Sequence, residues 1–105
     1  MLFRFLRNKE IEEFATTMAD RFVKRCPPDL QDDARPMAAQ KRESAMSAIY
    51  SELGEFRKRV RLGVYRRAEL ANTLKWALKE RGYKSGFANS VVYDMLIQLA
   101  SSKKG

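Results

Sequence analysis

The chain has 105 residues, 45% of them hydrophobic and 32% charged, with a formal net charge of +8. That is enough apolar material for one core and too little for two, so a single domain is expected. Histidine is absent, which removes the commonest general base and the commonest metal ligand, and with them Ser-His-Asp, Cys-His and HExxH chemistry.

The chain opens on Leu2, Phe3, Phe5 and Leu6 interleaved with Arg4 and Arg7. Arg4 splits the apolar run and no small-residue cleavage site follows, so the segment does not read as a signal peptide. It reads instead as an arm, residues 1–7, packing over one end of the molecule. No apolar run reaches the roughly 18 residues needed to span a bilayer. The single cysteine, Cys26, cannot form an internal disulfide and suits a reducing compartment, so a cytoplasmic location is expected.

Ile11, Phe14, Ala15, Met18, Phe22 and Val23 recur at steps of three and four, which predicts a first helix from an N-cap at Asn8 to Arg25. Pro27 and Pro28 stop it. Residues 27–35 read as a loop, with Leu30 turned back towards the core. Pro36 suits the first turn of a second helix reaching about Arg61, whose Ala38, Ala45, Ile49, Leu53, Phe56 and Val60 share one face. Gly63 is expected to end it. Ser44, Ser47, Ser51 and Gly54 form a small-residue stripe on its opposite side. That stripe is either a solvent face or a place where another backbone comes close.

A third helix is predicted from about Tyr65 to Arg81, ended by Gly82, with Leu70, Leu74, Ala77 and Leu78 on its core face and Tyr65, Asn72 and Trp76 opposite. Its Ala68-Glu69-Leu70-Ala71 is similar to the second helix of helix-turn-helix domains. The tight turn that such a domain needs near Lys75 is missing, because Trp76-Ala77-Leu78 continue the helix. A fourth helix, from an N-cap at Ser85 through about Gly86 to Ala100, is apolar nearly all round. It should therefore be buried nearly all round, and three partner helices fall short of covering it, which suggests a homodimer through this helix. Residues 101–105 form a frayed tail. The expected fold is all-α, a small bundle of about four helices with short connections.

Charge is uneven along the chain. Residues 57–85 hold ten cations against two acids, a net of +8, equal to the excess of the whole sequence. Cations closing the second helix suit its dipole, but Arg66 and Arg67 stand where the third helix begins and its dipole end is positive. A dense arginine patch is the electrostatic footprint of a phosphate-rich partner. Arg57, Arg59, Arg61, Arg66 and Arg67 are the candidate nucleic-acid-binding residues, and Tyr65, Trp76 and Tyr83 could stack on bases or anchor a protein partner. The plainer alternative is a solvated basic face with the aromatics packed against the fourth helix.

Asp29, Asp32 and Asp33 could face a hard cation, but without a second acidic cluster they more often serve the next helix, and no metal or cofactor is expected. Cys26 lacks an activating base, and no nucleophile, base and orienting group can be assembled, so the protein is expected not to be an enzyme. Two functions compete: a basic module that associates with nucleic acid through 57–84, and a protein–protein adaptor or regulatory subunit acting through the aromatics of the third helix and through the fourth.

Overall fold

Each predicted apolar stripe closes onto a common core. The computed structural model describes residues 2–101, with side chains from residue 9 onward. Four helices, α1 (Leu2–Arg25), α2 (Pro36–Arg59), α3 (Val64–Glu80) and α4 (Ser85–Ser101), make an all-α bundle, with a single short 3-10 turn at Pro28–Leu30. α1 packs on both α2 and α3, and α3 packs on α4, whereas α2 and α4 barely meet. Ile11, Met18, Phe22, Leu53, Leu70, Leu74, Leu78, Met95 and Leu99 are all sealed from solvent. Among the described residues, no helix is long and apolar enough to cross a membrane.

Several boundaries differ from the expectation. α1 continues back to Leu2, so Asn8 lies within the helix rather than capping it. The side chains of the 1–7 arm and residues 102–105 of the expected tail lie outside the described residues, while Ser101, placed in that tail, is the last residue of α4. α2 ends at Arg59, two residues early, and Gly63 is not its terminator: with φ −76° it is the residue preceding α3. The cause is the core. Val60 leaves the helix in extended geometry, and Val60 and Leu62 both point inward, each 7% exposed. The alternation of extended backbone then sends Arg61, between them, outward. Gly54 meets nothing within 4 Å of where a Cβ would stand, so the small-residue stripe on α2 is an open face and not a close helix contact.

The two loops at the other end of the bundle are latched together. Gly82, at φ +105°, is the left-handed residue that ends α3, and a Cβ there would stand 3.3 Å from the Pro28 ring. Both facts favour glycine. The Gln31 side-chain amide donates to the Pro28 carbonyl at 3.0 Å, while its oxygen accepts from the Lys84 backbone N–H at 2.8 Å. Lys84 pairs with Asp32 at 2.7 Å, Arg81 with Asp20 at 2.9 Å, and Arg42 donates to the Leu30 and Asp33 carbonyls. Tyr83 donates its hydroxyl to the Cys26 carbonyl, packs edge-on to Phe22 and stacks on Phe87.

Asp33 accepts from the Arg35 backbone N–H at 2.9 Å and from its guanidinium at 2.6 Å. These bonds favour the ionised carboxylate and hold its pKa down at about 2, against an ordinary 3.8. A folded-state pKa below the unfolded one contributes stability that is fully present above about pH 4 and disappears as pH falls towards 2. Urea titrations of the wild type and Asp33→Asn should therefore show an advantage for the wild type at neutral pH that shrinks across that acid window. An advantage that persists unchanged down to pH 2 would show that the carboxylate's ionisation is not its source.

Candidate nucleic-acid interface

The α2–α3 connection brings six cations, Arg57, Lys58, Arg59, Arg61, Arg66 and Arg67, into a stretch of sequence with no acid between Glu55 and Glu69. The turn at 60–63 folds this stretch into one corner of the bundle. Lys58 reaches Glu55 at 3.4 Å, a long and exposed pair that neutralises little. Arg59 lies over the Phe56 ring at 5.5 Å, and that ring is stacked on Phe14 from α1. Arg61 is exposed and Arg66 half-buried, and neither has an ion-pair partner among the described residues. Arg57 is half-buried and takes part in a polar or charged interaction of its own.

Arg67, which had no local reason in the sequence, acquires one. Its Nε donates to the Leu62 carbonyl at 3.1 Å, satisfying an oxygen that the 60–63 turn leaves outside any helix. It is a strut of the corner as much as a surface charge. Local sequence rules miss this bond because it depends on Leu62 turning inward.

The basic segment as a whole is not one surface. Arg81 and Lys84 lie beyond the far end of α3, whose 17 residues span about 25 Å, and both are paired with acids there. Lys75 and Lys79 stand between the two ends, with their ammonium groups 5.6 and 4.3 Å from the Trp76 ring centre. Within the 57–84 segment the cations without an acid partner therefore lie at the α2–α3 corner and along α3, and a separate group, Lys24, Arg25 and Lys41, stands where α1 ends and α2 begins.

The three aromatic candidates separate. Tyr65 is 86% exposed and Trp76 51% exposed, both on the outer side of α3, with Val64 exposed beside Tyr65. Tyr83 is a correction: at 3% exposed it is a core residue of the latch, and burial raises the pKa of its phenol. The sequence placed it among the surface aromatics because a short loop has no periodicity to reveal which way a side chain points. Within one chain the three partner helices do leave part of α4 uncovered. Its inner side is sealed by Ala88, Met95 and Leu99, while Tyr93 and Ile97 face outward at 64% and 48% exposure.

Between α2 and α4 lies an open cleft of about 1050 Å³, whose lining includes Phe22, Met46, Tyr50, Phe87 and Val91. Burial and the nearby Asp94 carboxylate both raise the Tyr50 pKa. Among the described residues the cleft is lined by Ser44, Ser47 and Ser90 and by no cysteine or lysine. Cys26 is buried elsewhere, with its thiol pKa pushed up by that burial, which favours the unreactive protonated form. Asp32 and Asp33 are engaged by Lys84 and Arg35, and no group of three potential metal-binding side chains occurs among the described residues. No protein-family model, curated protein or solved structure matches this chain, which leaves the charge and geometry of the corner as the guide to its role.

Proposed function

We propose that the protein is a non-enzymatic binding module that holds the phosphate backbone of a nucleic acid against its α2–α3 corner. One observation carries this reading: Arg59, Arg61 and Arg66, without ion-pair partners among the described residues, stand at a corner that bears six cations and no acid between Glu55 and Glu69, while Arg81 and Lys84 at the other end of α3 are paired. Cations left without partners on a folded surface repel one another, and a polyanion relieves that repulsion while releasing its own condensed counterions. Guanidinium groups suit this task because their planar forks match phosphate oxygens.

The test is a titration of the protein with labelled single- and double-stranded oligonucleotides at two salt concentrations. Three phosphate contacts should weaken binding by roughly 20- to 40-fold between about 50 mM and about 200 mM salt. Absence of salt-sensitive binding at the lower concentration would remove the reading.

A further inference from the structure

The outer face of α3 has an order that the corner alone does not require. Tyr65 and Trp76 are eleven residues apart, close to three full turns, so they stand one above the other about 16 Å apart along the helix. Asn72 shares their stripe and is exposed. By the same helical repeat, Lys75 and Lys79 fall on one flank of the stripe, and Glu69 and Glu80 fall on the other. The two lysines bend over the indole. The face therefore has a row of exposed rings with a cationic side and an anionic side.

We propose that this face is a stacking track for single-stranded nucleic acid, with one base on Tyr65, another on Trp76, and the phosphates running along the Lys75 and Lys79 flank. This rests on the corner reading, since the corner cations Arg59 and Arg61 stand in the connection that leads into the Tyr65 end of the track, whereas Arg66 falls by the same repeat on the glutamate side. Only unpaired bases can lie flat on these rings, because a duplex hides its base faces within its own stack. The spacing of about 16 Å is far larger than the ~3.4 Å rise between neighbouring stacked bases, so the two rings take bases separated by intervening nucleotides. Glu69 and Glu80 repel phosphate and fix the side of the helix on which the backbone runs. A base arriving on the indole displaces the Lys79 ammonium, which then turns from the ring to a phosphate.

Trp76 is the only tryptophan in the chain, so its fluorescence reports this site alone. Labelled oligothymidylate and a duplex of equal length are titrated against the wild type, Tyr65→Ala, Trp76→Ala, Trp76→Phe and the Arg59, Arg61, Arg66→Gln triple variant, with circular dichroism confirming that each is folded. The expected result is quenching of the indole by the single strand and a roughly 5- to 100-fold loss of single-strand affinity in each alanine variant. The phenylalanine variant should recover most of that loss, and the alanine changes should barely touch duplex binding. Equal binding of strand and duplex, with no quenching and no effect of Trp76→Ala, would overturn the stacking track while leaving the corner intact, provided the triple variant still loses affinity. Failure of both nucleic acids to bind in a salt-sensitive way would overturn the corner reading and the track together, and would leave the exposed rings to a protein partner.

Discussion

Replacing Arg59, Arg61 and Arg66 together by glutamine is expected to flatten the salt dependence of nucleic-acid binding by about 2 to 3 in the slope of log affinity against log salt, and to weaken binding to all sequences alike. The size follows from the geometry, because these three side chains have no acid of their own to release. A second variant, Arg81→Gln with Lys84→Gln, removes two charges from the same stretch of sequence and gives the comparison its meaning. Arg81 is paired with Asp20 and Lys84 with Asp32 at the far end of α3. If net charge alone drives binding, the double variant should lose affinity in proportion to the charge it has lost. If the corner is the site, the double variant keeps the wild-type slope. Equal losses per charge in the two variants would make the corner one patch among many.

The largest effect on stability is expected at Phe22, where Phe22→Ala should cost about 3 to 5 kcal/mol in a denaturant titration. A domain of this size is stable by only about 5 to 15 kcal/mol, so this one ring is a large part of the whole. Phe22 is 1% exposed and meets Tyr83 edge-on at 5.5 Å and Phe87 at 6.0 Å, which ties α1 to the α3–α4 loop and to α4 at once. Its removal leaves a cavity that the latch cannot collapse to fill, because Gln31, Gly82 and Lys84 are fixed to each other by hydrogen bonds. Tyr65→Ala is the matched control and should change stability by no more than about 0.5 kcal/mol, as an exposed ring far from the latch. A Phe22→Ala protein with a denaturation midpoint close to that of the wild type would mean that the aromatic cluster does not join the helices as described.

These two expectations differ in how far the residues alone foretold them. Phe22 was legible as core because it continues a stripe from Ile11, and period is the one signal that a single helix carries by itself. The four helices were legible for the same reason, with Pro27, Pro28 and Gly82 marking real ends. Gly63 misled because a glycine after a basic run resembles a helix stop, whereas the demand of the core for Val60 and Leu62 ended α2 earlier. The separation of the basic segment into a paired end and an open corner was not legible at all. It depends on Asp20 meeting Arg81 and Asp32 meeting Lys84 across 61 and 52 residues, contacts that exist only once α1 and the loop after it lie beside the end of α3 and its following loop. Tyr83 was misplaced for the same reason, since its partner is a backbone carbonyl 57 residues away.

Charges are paired at one end of α3 and crowded at the other, so the two ends of this helix present different faces to a charged neighbour. Two copies drifting together corner to corner repel, which disfavours that arrangement in concentrated solution. If the corner is where a polyanion docks, its rate of association should fall as salt is added, because attraction between exposed charges is screened over about 10 Å at about 0.1 M salt.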